Sequence, residues 1–345
     1  MPGSPPPVVL LTCGDPAGIG PEVAVLAWHA TAAHDRARLR LVVDPEVLAT
    51  TLATRRGMPT LRITPVPAAD PRPSNADELL VVATAEPAET IVAGEASAAG
   101  GRQAAAAVNT AFALVRGGAA HAIVTGPLHK EALHAAGYDV PGHTELLARG
   151  CGLPDDAASM MLWLPSANGP GGLGVVHATL HQSLRSAVAD LSTERIAAAG
   201  RRLASLLAAL LSRPPRLAVA ALNPHGGEGG LFGDEEPRLI RPAVARLAAA
   251  GLAVSGPLPA DTLFLRASRG EFDGVVALYH DQGHIPIKLL GMHRAVNITL
   301  GLPLVRTSVA HGTAFDIVGQ GRADPTSMLS AIDAAVRLAA ADWCG

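Results

Sequence analysis

The chain has 345 residues, of which 49% are hydrophobic, 17% are charged and only 3% are aromatic, and its formal net charge is −3. This length predicts two domains, and the apolar content predicts large cores rather than disorder. The charge and the scarcity of aromatic rings argue against binding to nucleic acid or to an anionic membrane. The three cysteines form no disulfide framework, and neither a leader-like segment nor a membrane-length apolar run is visible, so we expect a cytoplasmic protein.

Short apolar runs alternate with Ala/Leu/Arg-rich stretches along the chain, and the runs predict buried, largely parallel strands. These runs are Val8–Thr12, Leu39–Val43, Ala122–Thr125, Met160–Leu164, Gly174–Thr179, Leu217–Leu222, Gly274–Tyr279 and Val296–Leu300. Helices are predicted over Gln103–Arg116, Glu145–Arg149, Thr193–Leu211 and Arg238–Ala250, with Ser192 as an N-cap. The Pro-rich stretch 64–73 is expected to be a surface loop. This order of elements predicts an α/β architecture with helices on both sheet faces.

Polar or glycine-containing motifs follow five of the predicted strands. They are Gly14-Asp15-Pro16, Thr125-Gly126-Pro127, His181, Asn223-Pro224-His225 and His280-Asp281. Functional residues of parallel sheets collect at the carboxyl ends of strands, so the matching positions predict one functional edge.

Three of these motifs carry a histidine, namely His181, His225 and His280. Neutral imidazole is the commonest protein ligand for transition metals, and three such ligands leave a position open for substrate. Their spacing fits no compact zinc signature, so the pattern alone is weak evidence. His177 is expected on the same strand as His181, and one of the two is then a core histidine.

Two glycine-rich segments are candidates for contact with a dinucleotide. The opening motif at 14–22 joins a strand to a helix, where glycines admit a ligand and the helix start favours an anion; a tight turn is the equal alternative. The segment 311–321 could wrap an adenine and a ribose through its backbone, with Asp316 available to a hydroxyl, although by itself it reads as a loop.

A basic and polar group of residues predicts an anion site. Arg306 lies in an apolar stretch where an unpaired charge is costly, and an anionic ligand would satisfy it. Lys288 and Asn297 lie nearby in the sequence, although an ordinary snorkelling lysine is the alternative for Lys288. His143 and Thr144 precede a predicted helix, where Thr144 could simply be the cap.

Taken together, these motifs resemble the 4-hydroxythreonine-4-phosphate dehydrogenase family of pyridoxal phosphate biosynthesis and its sister enzymes. The matching strings are Gly-Asp-Pro-Ala-Gly-Ile-Gly-Pro-Glu (14–22), Thr-Gly-Pro-Leu-His-Lys (125–130), Gly-His-Thr-Glu (142–145), Leu-Asn-Pro-His-Gly-Gly-Glu-Gly-Gly (222–230), Gly-Pro-Leu-Pro-Ala-Asp-Thr-Leu-Phe (256–264), Tyr-His-Asp-Gln-Gly (279–283), Val-Asn-Ile-Thr-Leu-Gly-Leu-Pro (296–303) and Arg-Thr-Ser-Val-Ala-His-Gly-Thr-Ala (306–314). They run through nearly the whole chain in the family's order.

The resemblance implies an isocitrate/isopropylmalate dehydrogenase-like fold of two α/β/α domains with an active-site cleft between them. Residues 1–138 with 303–345 would form the cofactor-side domain, and 139–302 the metal, substrate and dimerisation domain. It also implies a homodimer whose metal site is completed across the interface.

The resemblance assigns roles to residues by motif. His181, His225 and His280 would bind one divalent metal, which could be Zn²⁺, Mg²⁺, Mn²⁺ or Co²⁺. Substrate would contact His143, Thr144, Lys288, Asn297 and Arg306. The cofactor, NAD or NADP, would contact Gly14, Asp15, Gly18, His311, Gly312, Thr313, Ala314 and Asp316.

The implied reaction is oxidation of the C3 hydroxyl of a 4-phosphorylated hydroxy acid to the 3-oxo acid, followed by decarboxylation. Candidates for the base are Asp261, Lys288 and a metal-bound hydroxide. The string Gln-Gly-His-Ile-Pro-Ile-Lys (282–288) favours the branch that acts on 4-phosphorylated threonate or erythronate, and Ala310 replaces the family's usual Asp. Alternatives are a cis-dihydrodiol dicarboxylate dehydrogenase of the same family, a metal-dependent lyase and a phosphate acyltransferase.

Overall fold

The computed structural model describes residues 5–85, 89–140, 142–154, 157–167 and 171–344. The chain divides into two compact units, which we call unit 1 (Met1–Ser159 with Val296–Gly345) and unit 2 (Met160–Ala295). Segments 139–159 and 296–302, which the family resemblance implies for the second domain, therefore lie in unit 1. In the described part of the chain, no helix has the length and apolar character needed to cross a membrane.

The described strands are β1 (Val8–Thr12), β2 (Arg38–Val42), β3 (Arg62–Pro65), β4 (Glu78–Val82), β5 (Ala122–Thr125), β6 (Ser159–Pro165), β7 (Gly172–His177), β8 (Arg216–Ala220), β9 (Ala253–Leu258), β10 (Gly274–Ala277), β11 (Val296–Leu300) and β12 (Val305–Val309). The described α-helices are α1 (Gly20–Ala30), α2 (Pro45–Thr54), α3 (Ala98–Arg116), α4 (Lys130–Ala135), α5 (His143–Gly150), α6 (Leu184–Ala189), α7 (Thr193–Leu211), α8 (Arg241–Ala249), α9 (Ala260–Ser268), α10 (His280–Gly291) and α11 (Thr326–Ala340).

In unit 1 the strands follow the order β3-β4-β2-β1-β5-β12-β11, and all neighbours are parallel except β11 and β12. Leu10 and Ile123 lie opposite each other and share a buried cluster with Val108 of α3. Thr307 faces the other side of the sheet, where its hydroxyl donates to the carbonyl of Ala331 in α11. Helices therefore cover both faces of this sheet, as predicted.

In unit 2 the order is β6-β7-β10-β8-β9, with only β6 and β7 antiparallel. Gly274 and its neighbour Gly174 lie beneath α7, where a Cβ on Gly274 would come within 2.6 Å of the Leu207 side chain. The opposite face carries Val275, which packs in one cluster with Leu263 of α9. The α/β class is thus confirmed in both units.

Several predicted elements differ from those observed. The strands β3, β4, β9 and β12 were not predicted, and the expected loop at 64–73 begins inside β3. The strand β12 was not predicted because Arg306, Thr307 and Ser308 interrupt its apolar sequence. All of its residues are nevertheless buried. The helix expected from Arg238 begins at Arg241, because the preceding turn (Glu236–Ile240) is a wider helical turn. By contrast, α7 has the predicted bounds and Ser192 caps it.

Candidate functional site

His181 and His280 lie side by side at the carboxyl end of the unit 2 sheet. The centres of their rings are 5.7 Å apart. His280 begins α10, whereas His181 lies in the turn after β7, which ends at His177. The prediction that His177 and His181 share a strand is therefore wrong. Both rings line a cavity of about 500 Å³, whose wall is formed by Leu180, His181, Gln182, Leu184, Ala187, Tyr279, His280 and Asp281.

A second pair of histidines, His284 and His177, lies on the interior side of the His280 ring. One helical turn along α10, the ring of His284 stacks on that of His280 with their centres 3.7 Å apart. Its Nδ1 is 3.1 Å from Nε2 of His177. Burial lowers the pKa of His284 to about 4 and holds that of His177 well below its ordinary value. Both are therefore neutral core histidines at pH 7. Their rings pack against that of His280 from the interior of unit 2.

His225 occupies an exposed loop of unusual backbone. Five consecutive residues, from His225 to Gly229, have φ between +40° and +79°, a region that costs energy for residues other than glycine. Nδ1 of His225 donates to Oε1 of Glu228 at 2.7 Å. His280 makes the same kind of bond, at 2.7 Å, to Asp281. A carboxylate on Nδ1 leaves Nε2 as the metal-binding nitrogen.

The donor chemistry of these imidazoles thus fits a divalent metal. Within the described residues, however, no group of three or more His, Cys, Asp or Glu side chains is arranged to hold a metal ion. The chain gathers His181 and His280 but does not bring His225 to them. The set of three ligands stays a prediction.

Unit 1 contains a buried cation at Arg306. The residue is 2% exposed, and its guanidinium donates to the hydroxyls of Thr125 (3.1 and 2.8 Å) and Thr299 (3.1 Å). Among the described residues no carboxylate forms an ion pair with it. Burial lowers the pKa of Arg306 to about 10, against the opposing charge of Glu145, so the group stays protonated at pH 7. The charge is therefore buried without a counter-charge in this part of the chain, and its role as an anion site stays a prediction.

Two polar atoms close to Arg306 also have no partner. Nε2 of His143 and Oδ1 of Asn297 are buried without a hydrogen bond. Asn297 pairs with Ser308 across β11 and β12, which places it on the sheet face of Arg306. Burial and the charge of Arg306 hold the pKa of His143 well below its ordinary value. The buried cation indicates an anionic ligand, and the unpaired oxygen of Asn297 would accept a hydrogen bond from a hydroxyl of that ligand.

The remaining predicted substrate residues and bases are less constrained. Thr144 follows His143 in α5, but the helix is capped at Gly142 without a side chain, so the capping alternative for Thr144 is wrong. Lys288 lies exposed on α10, and Asp261 lies exposed in the first turn of α9. The helices α9 and α10 pack against each other in unit 2. The roles of Lys288 and Asp261 stay predictions.

The two glycine-rich segments of unit 1 lie against each other. The amide of Ile19 donates to the carbonyl of Thr313 at 2.9 Å. Gly18 packs so closely that a Cβ would lie 2.7 Å from the same oxygen, an approach that only glycine allows. Gly14 has φ +73°, and its missing side chain admits the carbonyl of Pro127.

Two side chains in these segments carry buried polar atoms without a hydrogen-bond partner. Asp15 is fully buried with Oδ2 unpaired, and burial raises its pKa. Nε2 of His311 is also buried and unpaired, while its Nδ1 lies 2.9 Å from the carbonyl of Gly312. Ala314 adopts a left-handed φ of 45°, and the side chain of Asp316 is exposed. Contact of these residues with a cofactor stays a prediction.

Four residues that shape these clusters have no role assigned from the sequence, although three of them lie within its motifs. Thr125 and Thr299 are the acceptors for Arg306, and neither hydroxyl could be assigned without knowing which strands are neighbours. Glu22 and Arg55 form a buried ion pair of 3.2 Å beside the glycine-rich segments. The one available signal was a glutamate within the otherwise apolar start of α1.

The chain is similar to characterised proteins over almost its whole length. Residues 35–335 match the family model described as "Pyridoxal phosphate biosynthetic protein PdxA". A D-threonate 4-phosphate dehydrogenase of Cupriavidus necator is 44% identical over 96% of this chain and 97% of its own. The crystal structure of a 4-hydroxythreonine-4-phosphate dehydrogenase from Klebsiella pneumoniae has a TM-score of 0.82 at 40% identity, covering 97% of this chain and 98% of that one.

A terephthalate 1,2-cis-dihydrodiol dehydrogenase from Burkholderia xenovorans is more distant, with a TM-score of 0.67 and 34% identity over 97% of this chain and 98% of that one. The predicted family resemblance and the dehydrogenase class are confirmed, and the dihydrodiol alternative is the weaker one. The chain belongs to the family of the pyridoxal phosphate biosynthetic protein PdxA.

Proposed function

We propose that the protein oxidises the C3 hydroxyl of a 4-phosphorylated 3-hydroxy acid to the 3-oxo acid, which then loses CO₂. The reaction uses NAD and one divalent metal. D-Threonate 4-phosphate is the first candidate substrate, 4-phospho-erythronate the second and 4-hydroxythreonine 4-phosphate the third. We place the enzyme in the cytoplasm, since Cys13, Cys151 and Cys344 are all free thiols.

One observation carries the proposal. Within the described residues, Arg306 is a buried cation whose acceptors are neutral hydroxyls, and His143 and Asn297 present unpaired buried atoms beside it. A buried charge without a counter-charge is costly, so this cluster is built for an anion that arrives with the substrate. A phosphate or carboxylate supplies several acceptors for the guanidinium and for the single N–H of a neutral His143 ring.

The histidines fit the proposed metal by their chemistry, with carboxylates on Nδ1 of His225 and His280. When bound, the metal would supply Lewis acidity to the substrate alcohol, and the nicotinamide would supply the hydride acceptor. The protein's own residues hold the anionic end at Arg306 and position the carbon backbone through Asn297. Oδ of Asp261 or Nζ of Lys288 takes the proton from the C3 hydroxyl.

The choice of substrate branch rests on α10. His284 belongs to the string at 282–288 and stacks on His280, so the residue that marks the branch contacts a proposed metal ligand. The Cupriavidus necator relative, named for D-threonate 4-phosphate, is 44% identical to this chain. Both observations support testing D-threonate 4-phosphate as the first candidate substrate.

We also propose that the active form is a homodimer. Nine of the ten large hydrophobic side chains exposed in the described residues belong to unit 2. They are Leu184, Val188, Leu231, Phe232, Leu265, Ile285, Leu289, Leu290 and Met292. Several adjoin the histidines in sequence, and clustered exposed apolar side chains mark protein interfaces. A second copy would cover them and supply His225 of the partner subunit to His181 and His280.

The test is NADH formation by chelator-treated protein to which Zn²⁺, Mg²⁺, Mn²⁺ or Co²⁺ is restored singly. The substrates are D-threonate 4-phosphate, 4-phospho-erythronate, 4-hydroxythreonine 4-phosphate and an aromatic cis-dihydrodiol acid. Parallel reactions use NADP, or omit the metal. Substrate labelled with ¹³C at C1 reports decarboxylation as labelled CO₂.

We expect metal-dependent NADH and labelled CO₂ from a 4-phosphorylated acid, with D-threonate 4-phosphate giving the highest kcat/KM. Turnover of the dihydrodiol alone would replace the proposed substrate class. Absence of NADH with every substrate, in protein shown to bind metal, would favour a lyase.

A further inference from the structure

A buried ion pair joins the two glycine-rich segments of unit 1. Glu22 lies in the first turn of α1 and is fully buried. Its Oε1 accepts a hydrogen bond from the amide of Gly319 at 2.8 Å and another from Nη1 of Arg55 at 3.2 Å. One carboxylate oxygen thus contacts the segment 311–321 and the guanidinium together.

Arg55 completes the link from the other side. It follows the last residue of α2, and its side chain is 8% exposed. Nη1 donates to the carbonyl of Gly18 and Nη2 to that of Pro16, each at 2.8 Å. The planar guanidinium therefore holds two carbonyls of the opening motif, and through Glu22 it reaches Gly319.

Stability alone is a poor reason for this arrangement. Removing two charges from water is costly, and well-packed apolar side chains often serve a core equally well. Oε2 of Glu22 is also buried without a partner, which adds to the cost. Hydrogen bonds are directional, so they can fix the separation of two irregular backbone segments, whereas apolar contacts cannot.

We propose that Glu22 and Arg55 are positioning residues for the dinucleotide. They hold 14–19 and 311–321 in their binding arrangement before the nucleotide arrives. This inference rests on the proposed function. A preorganised site loses less conformational freedom on binding, so its affinity is higher. The anion cluster at Arg306 makes none of these bonds, so binding of the phosphorylated acid does not depend on the pair.

The experiment compares Arg55→Lys and Glu22→Gln with wild type and with the control Arg40→Lys. Arg40 is another arginine of unit 1 with a buried side chain, which donates to the carbonyls of Leu39, Asp70 and Arg72 and touches neither segment. Lysine keeps the charge but cannot reproduce the planar fork of donors. For each protein we would measure the Kd for NADH by fluorescence without metal or substrate, the KM values for NAD and for the acid, and the Tm.

We expect Arg55→Lys and Glu22→Gln to raise the Kd for NADH and the KM for NAD about tenfold, the scale of one lost charge-assisted hydrogen bond. The KM for the acid should stay unchanged, and Arg40→Lys should lower the Tm without changing the Kd for NADH. An unchanged Kd in both variants, or a parallel loss of affinity for both ligands, would overturn the positioning role. Failure of wild type to bind NADH would instead remove the proposed function and this inference with it.

Discussion

Arg306 is held in place before any ligand binds, because Thr125 and Thr299 accept three of its hydrogen bonds. These hydroxyls orient the guanidinium without neutralising it. The charge therefore remains available to an incoming anion. Because the guanidinium is already oriented, it loses little conformational freedom when the anion binds.

We predict that Arg306→Lys raises the KM for the 4-phosphorylated acid by about tenfold to a hundredfold, with a smaller effect on kcat. Lysine keeps the charge but loses the fork of donors that suits a phosphate or carboxylate. Initial rates at saturating NAD measure this effect. Arg36→Lys, at a surface ion pair with Asp333, is the matched control and should leave both constants unchanged. An unaltered KM in Arg306→Lys would show that the anion binds elsewhere.

Among the elements of unit 2, the strands β8 and β10 are linked at their amino ends by Asp273. It immediately precedes β10, and its carboxylate accepts hydrogen bonds from the guanidinium groups of Arg213 and Arg216 and from the amide of Arg216 in β8. Burial by itself raises the pKa of Asp273, but these hydrogen bonds outweigh it and hold the pKa well below its ordinary value.

Asp273→Asn should lower the free energy of unfolding by about 2 kcal/mol at pH 7, because several charge-assisted hydrogen bonds are lost. The folded pKa is depressed, so the unfolded chain binds more protons once the pH falls below about 4. The contribution of Asp273 to the free energy of unfolding is therefore complete above that pH and is lost as the pH falls further. Urea unfolding between pH 3 and 7 checks both points. Asp77→Asn, at an exposed carboxylate, is the control, and equal losses in the two variants at pH 7 would contradict the strand-linking role.

At the scale of the whole molecule, the separation of the histidines predicts subunit complementation. The chain brings His181 and His280 together. In the dimer proposed above, His225 of the partner subunit would complete the set of three. His181→Ala and His225→Ala should each abolish turnover as pure proteins. In a mixed dimer, one of the two sites would retain all three imidazoles.

Mixing the two inactive variants, after dissociation and reassociation, should therefore restore up to about a quarter of wild-type activity. Half of the dimers would be mixed, and each would carry one intact site. Mixing His181→Ala with His280→Ala is the control and should restore nothing, because both ligands come from one chain. Equal inactivity of both mixtures would place the three ligands within one subunit.

The sequence by itself determined the α/β class, the bounds of α7 and β1, and the family, because these depend on short-range periodicity, caps and motif strings kept in order. It also identified Arg306 as a costly charge and His181, His225 and His280 as metal-ligand candidates. Only the tertiary structure decided which of these residues meet. Arg306 forms a hydrogen bond with Thr125, 181 positions away in the chain, and Glu22 forms one with Gly319, 297 positions away. Such contacts follow from the order and register of strands and from the packing of helices on them, which no local pattern records.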